Sequence, residues 1–320
     1  MILIIKRIIT VLMMLFFISC DKPIIDIFTD CDSINYSSIN TWEYANNYYL
    51  APCFNPENSN EFIYVLDKPN DPTFSKQLWK YNLTTKEKSY ITDNVWYYPK
   101  YGLDDWIFLN RFNQQIWKVK SNGDSLQPLF TEELNYDVEP CIHDKRIVFR
   151  RIIESDYFVM FSDYNGNILY QTIDKVFSDG AWSGNGEKIL SLYSNNSGSL
   201  DMGIALYDTL FNLEKITLGF QYESYYDAIH GMDWFSDSEN FVWCKLSGLY
   251  KVNINTGVQE LLKEGCDVSE IGWPSVASDN SGILLESYVR SKIENNTWLM
   301  ESNIILTDMN GENEIILNLD

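Results

Sequence analysis

One four-strand pattern recurs six times along this chain, and a chain built from such a repeat has few ways to bury it. Each copy opens on a proline or small residue, followed two positions later by a bulky one. The bulky residues are read as Phe54, Tyr101, Ile142, Trp182, Trp234 and Val276, spaced by 47, 41, 40, 52 and 42 residues. Two positions earlier stand Pro52, Pro99, Pro140, Gly180, Met232 and Pro274. Second strands run through Phe62 to Val65, Trp106 to Leu109, Ile147 to Phe149, Ile189 to Leu192, Phe241 to Trp243 and Ile283 to Leu285. Third strands run through Leu78 to Tyr81, Ile116 to Val119, Val159 to Phe161, Ile204 to Tyr207, Leu249 to Val252 and Ile304 to Leu306. The turns that follow carry Asn122-Gly123, Asn165-Gly166, Thr256-Gly257 and Asn310-Gly311, dipeptides suited to the positive φ of tight hairpins. A short fourth strand closes each copy. No helical period is sustained. A lone four-stranded unit cannot bury both of its faces, so the units must stack on one another and close. The expected fold is all-β: a six-bladed β-propeller of four-stranded antiparallel blades over residues 50–320.

The turn motifs carry a resemblance. Trp182-Ser183-Gly184-Asn185-Gly186-Glu187-Lys188-Ile189-Leu190 resembles the repeat signature of TolB-like propellers, a Trp-Ser-Pro-Asp-Gly-Lys turn leading into a strand. Trp234 to Glu239 and Ser278 to Gly282 are weaker copies, and the turn motif is degenerate in the first three units. The resemblance implies a binding scaffold that meets protein partners through loops on one face. The motif itself is structural and specifies fold rather than function.

Residues 1–19 differ from all that follow. Lys6 and Arg7 precede an apolar run from Ile8 to Ile18 that is short for a bilayer span and reads as a signal peptide. Ser19-Cys20 at its end resembles a bacterial lipobox, with Phe17 where leucine is usual. Cys20 is therefore the expected lipidation site. The acyl chains would tie the protein to the bacterial envelope, on a periplasmic or outer-membrane face, as its only membrane contact. Residues 20–49 are left as a tether and N-terminal segment. Their later part either packs on the ring or adds a strand near its closure.

Charge narrows the partners. The chain carries 45 acidic against 24 basic side chains, and removal of Lys6 and Arg7 with the signal would leave 22 basic ones. A field of that sign disfavours nucleic acid. Five cysteines follow Cys20: Cys31, Cys53, Cys141, Cys244 and Cys266. None has the spacing of a zinc or redox motif. Cys53, Cys141 and Cys244 read as small buried hydrophobes, and a disulfide would most simply join Cys31 to Cys53 or Cys266.

In a propeller the blade-to-blade connections and the second-to-third-strand loops share one face. That face is expected to be elaborated, with long loops at Asp67–Lys76, Ser194–Gly203 and Arg290–Ser302. The connections carry aromatic and acidic residues, and the candidate ligand-binding set is Trp96, Tyr97, Tyr98, Asp137, Glu139, Asp179, Tyr225, Tyr226 and Asp227. Aromatic platforms with carboxylates suit a sugar, a basic peptide or a cation. The plainer alternative is that the tyrosines cap blade interfaces and the acids solvate the rim.

Catalysis has thin support. His143 and His230 are the only histidines and are expected on opposite faces. No nucleophile elbow, Walker loop or dinucleotide loop occurs. Carboxylate pairs drawn from Asp137, Glu139, Asp179, Asp227 and Asp233 could in principle cleave a glycan. The expectation is a non-enzymatic lipoprotein without catalytic residues, cofactor or metal. It would bind an envelope protein partner, with a glycan or small ligand as the alternative.

Overall fold

Strands here are buried on one face or on both according to their place in the ring. The computed structural model describes residues 39–320 except 97, 112–113, 132–133, 174–176, 195–200, 222–228, 246–247, 267–268 and 294–296. Cys20, Cys31, Tyr97, Tyr225, Tyr226 and Asp227 lie outside the described residues, as does the stretch 1–19 expected to be a signal peptide.

The strands assemble into six separate sheets, and no helix occurs among the described residues. Blade one comprises Tyr48–Asn55, Asn58–Asp67, Gln77–Asn82 and Lys88–Asp93, from the inside outward. Blade two comprises Lys100–Tyr101, Trp106–Asn110, Ile116–Lys120 and Gln127–Pro128. Asn135–Pro140, Arg146–Ile153, Asp156–Asp163 and Ile168–Ile173 form blade three. Blade four is Ala181–Trp182, Lys188–Ser194, Asp201–Asp208 and Leu213–Gln221. Blade five is Ile229–Trp234, Asn240–Lys245, Gly248–Asn253 and Gln259–Glu264. Blade six is Ser269–Val276, Ile283–Lys292 and Thr297–Thr307, with a divided outer position. Ile315–Ile316 fills half of that position antiparallel, and Thr41–Tyr44 fills the rest in parallel register with Thr297 to Met300. The stretch before residue 50 thus adds a strand at the closure. The chain's other end also ties the seam: Leu317 and Leu319 are buried against Tyr49, Phe54 and Phe62 of blade one. Tyr49 Oη donates to Asp320 Oδ1 at 2.6 Å.

The core is not one mass but six wedges, each between two neighbouring blades. That is why Ile107, Phe108 and Leu109 are all buried although successive side chains point opposite ways: a neighbouring blade covers each face. Outer strands have no further neighbour, and Leu213, Ile216 and Leu261 there are exposed. The expected hairpin glycines Gly123, Gly166, Gly257 and Gly311 all adopt positive φ.

Two expectations need correction. The equivalent of Trp182 in blade three is Pro140 rather than Ile142. Pro140 pairs with Ile147 just as Trp182 pairs with Ile189, while Ile142 lies in the following turn. The stretch Arg290–Ser302 is mostly not loop. The strands Ile283–Lys292 and Thr297–Thr307 pair through Lys292 and Trp298, leaving residues 293–296 as the connection. Polar residues suggested a loop there, but Arg290 and Ser302 are buried with partners: Ser302 Oγ donates to the Tyr49 carbonyl at 2.8 Å.

Cys53, Cys141, Cys244 and Cys266 are free thiols, with Cys141 and Cys244 buried.

Candidate functional site: the channel mouth

A local backbone feature builds the mouth of the central channel. In or just before each innermost strand one residue takes positive φ: Ala51, Tyr98, Asp137, Asp179, Gly231 and Trp273, at 50°, 49°, 52°, 48°, 92° and 50°. In blades one, three, five and six this residue sits within a register shift of the strand pair. In blades two and four it stands just before the strand. Only one of the six is glycine. A side chain in this conformation costs about 1 kcal/mol or more, and bulges are where proteins re-aim a side chain. All six residues line one cavity of about 160 Å³ on the face of the blade connections, together with the residue that follows each of them.

Three positions after each of these residues comes one used to stitch the ring. Phe54 N donates to Ser275 Oγ at 3.0 Å, Tyr101 N to Cys53 Sγ at 3.4 Å and Val276 N to Asp233 Oδ2 at 2.8 Å. The indoles do the same work in other blades. Trp182 Nε1 donates to the Glu139 carbonyl at 3.3 Å, and Trp234 Nε1 to the Ala181 carbonyl at 3.0 Å. Pro140 has no N–H to give, and there the link is an ion pair, Lys100 Nζ to Glu139 at 3.0 Å. This pair sits at the neck of the channel, since Lys100 and Glu139 line both the mouth cavity and a second cavity of about 230 Å³ toward the opposite face. Burial raises the Glu139 carboxyl to about 7 against the pull of Lys100. Burial draws the Lys100 ammonium down, but Glu139, Cys53 and Asp233 together hold it above its usual range.

Of the sequence candidates, Trp96, Tyr98, Asp137, Glu139 and Asp179 are gathered around the mouth cavity. Their surroundings differ. Asp137 pairs with Arg150 at 3.0 Å, and that guanidinium lies 5.1 Å from the Tyr136 ring. Glu139 pairs with Lys100. Asp179 has Ser178 Oγ at 3.2 Å and, among the described residues, no ion pair. Burial first, then the Asp137 charge, push its carboxyl up to about 7. Asp233 is occupied in the backbone: besides Val276 N it accepts from Trp234 N at 2.8 Å.

The structure adds residues that the sequence reading left out. Trp273 stacks on Tyr98 with centroids 3.7 Å apart, so rings from blades six and two meet over Ala51 of the intervening blade. Tyr136 donates to Gln114 Oε1 at 2.7 Å, fixing the rim between blades two and three. One signal for Trp273 was present. Trp273-Pro274 repeats the Ala51-Pro52 and Tyr98-Pro99 dipeptides at the same place in the unit. The mouth is therefore polarised, with an aromatic wall from blades six and two and carboxylates from blades three and four.

The histidines are apart. His230 lies in the innermost strand of blade five with its ring 6.2 Å from Trp273, while His143 lies in the turn after the first strand of blade three. Among the described residues no three His, Cys, Asp or Glu side chains are gathered as a metal-ligand set.

Gly180 sets how closely the wall packs. A Cβ there would stand 2.2 Å from Phe177 Cε2 and 2.6 Å from the Leu190 carbonyl oxygen. Gly180→Ala is expected to lower the unfolding free energy by about 1–3 kcal/mol, read as a lower urea midpoint with unchanged slope.

These features define a propeller with an aromatic and acidic channel mouth, and solved structures share the fold. TolB from Acinetobacter baumannii superposes with a TM-score of 0.60 at 14% identity, covering 81% of this chain and 63% of that one. The propeller domain of the Trilobed protease from Pyrococcus furiosus gives 0.56 at 13% identity, covering 86% and 98%. An oligogalacturonate lyase in complex with manganese gives 0.53 at 12%, covering 82% and 77%. The chain thus spans less than two thirds of the TolB chain's length. The fold is the six-bladed β-propeller seen in TolB proteins, and it also occurs in peptidases and a lyase. No protein-family model and no curated protein matches the sequence.

Proposed function

We propose that this protein is a non-enzymatic binding module of the bacterial envelope, held by lipid on Cys20, which receives a protein partner on the channel-mouth face. The observation that carries this reading is the size and polarity of the mouth. A cavity of about 160 Å³ is close to one that holds a single benzene-sized group. It falls below the roughly 300–1,000 Å³ of sites that enclose a whole small molecule. Such a cavity suits one side chain of a larger partner resting on the surrounding face. Two of its three described candidate carboxylates, Asp137 and Glu139, are engaged by Arg150 and Lys100, which favours binding over acid–base work.

A glycan or small ligand is the second reading, and the aromatic surfaces of Trp96, Tyr98, Tyr136 and Trp273 favour it. Mild cross-linking of the lipidated protein in intact envelopes, followed by mass spectrometry, separates the two. A stoichiometric protein partner supports the scaffold. Co-purifying sugar with no protein partner supports the glycan reading and overturns ours.

A further inference from the structure

We propose that the mouth takes the side chain of an arginine presented by the partner, its guanidinium facing Asp179 and its flat surface along the Trp273–Tyr98 wall. This rests on the reading of the mouth as a protein-docking site.

Three observations lead here. The first is the pairing of charges. Asp137 and Glu139 each have a cation from the protein itself, at 3.0 Å in both cases. Asp179, on the same cavity, has the Ser178 hydroxyl and, among the described residues, no ion pair, with Lys100 and Arg150 acting on it only from beyond contact distance. A half-buried carboxylate beside a second one is costly without a cation, so the missing charge is the natural contribution of a ligand.

The second observation is the opposite wall. Trp273 and Tyr98 form a continuous stacked aromatic surface across blade one. Lysine would satisfy the charge, but its ammonium is compact and strongly hydrated. A guanidinium is planar and weakly hydrated, and it can meet a carboxylate through two N–H groups while stacking on a ring. The protein already uses this combination one blade away, where Arg150 pairs with Asp137 and lies against Tyr136. The third observation is volume: a space of about 160 Å³ admits one guanidinium and little more.

The shared positive-φ position explains why both walls face the same space. Asp179, Tyr98 and Trp273 occupy equivalent positions in blades four, two and six, each with positive φ. Asp179→Asn is therefore a clean probe, because asparagine tolerates positive φ and keeps the shape while losing the charge.

The test uses Nα-acetyl-arginine amide and its neutral isostere Nα-acetyl-citrulline amide, titrated against the full chain and followed by tryptophan fluorescence and calorimetry. The arginine compound is expected to bind at least tenfold more tightly than the citrulline compound. Asp179→Asn should weaken arginine binding at least tenfold and leave citrulline unchanged. Equal binding of the two compounds, no binding of either, or an unaffected Asp179→Asn variant would overturn the proposal. If a protein partner is captured equally by wild type and Asp179→Asn, the arginine assignment fails and the docking face stands. If the arginine compound binds as expected but envelopes yield no partner, the docking reading fails instead.

Discussion

The thermal midpoint of this protein rises when the pH is lowered from about 8 to about 5, against the usual expectation for an acidic chain. The cause is a set of buried carboxylates whose protons are held more tightly in the folded state. Glu286 is 1% exposed on the second strand of blade six. It accepts the Ala51 N–H at 2.6 Å, tying blade six to the bulge of blade one. Burial raises its carboxyl from 4.5 to about 7, with Tyr288 and the Ala51 bond restraining the rise. Between those two values the folded chain holds a proton that the unfolded chain has released. Stability therefore falls as the pH climbs through that window, and the loss is complete above about 7. For Glu286 it amounts to about 3 kcal/mol. Glu139 and Asp179, each also raised to about 7, act in the same direction.

Two effects oppose this. His230 is pulled below 6.5 by burial, so it costs stability as the pH falls below that value. Exposed turn aspartates such as Asp308, held low by Asn313 and by backbone N–H groups, lose their contribution only when the pH falls below about 4. The carboxylates should win between about pH 5 and 8, shifting the midpoint by roughly 5–10 °C. Glu286→Gln should raise the midpoint at pH 8 and flatten its pH dependence. A midpoint that declines steadily from pH 8 to pH 5 would contradict this assignment.

The second large effect concerns Arg290 and Glu270. They join the first two strands of blade six through two short contacts, 2.6 and 2.7 Å, with both residues buried. Removing either partner strands the other charge in a dry setting. Arg290→Ala or Glu270→Ala should each cost about 3–5 kcal/mol of unfolding free energy in urea. Replacing both with apolar residues of similar volume, Arg290→Met with Glu270→Leu, should cost much less than the two single changes together. Single changes worth under about 1 kcal/mol would mean that water reaches the pair.

Much of the architecture was legible because each blade repeats its own punctuation. The hairpin glycines and the bulky first-strand residues mark the blades even where the turn motif has decayed. Blade three shows where that fails. With no Trp-Ser turn to align on, Ile142 looked like the bulky position, and only the pairing of Pro140 with Ile147 reveals the shift. Arg290–Ser302 was misjudged for a different reason. A sequence shows Arg290 as polar but not that Glu270 on the neighbouring strand makes it a strand residue.

The mouth was partly visible because Trp96, Tyr98, Asp137 and Asp179 lie in the blade connections or the innermost strands they lead into. What could not be read is which acids are already spent. Arg150 and Lys100 reach Asp137 and Glu139 across strands and across blades, and those partners leave Asp179 as the distinctive carboxylate.

The most direct test of the binding face is site-specific photo-cross-linking in intact envelopes. One photoreactive residue would replace Thr73, in the exposed loop on the mouth face, and another would replace Asn255, in an exposed turn on the opposite face. We predict a discrete protein adduct from position 73 and none from position 255. An adduct from position 255 alone would place recognition on the wrong face and contradict the function proposed here.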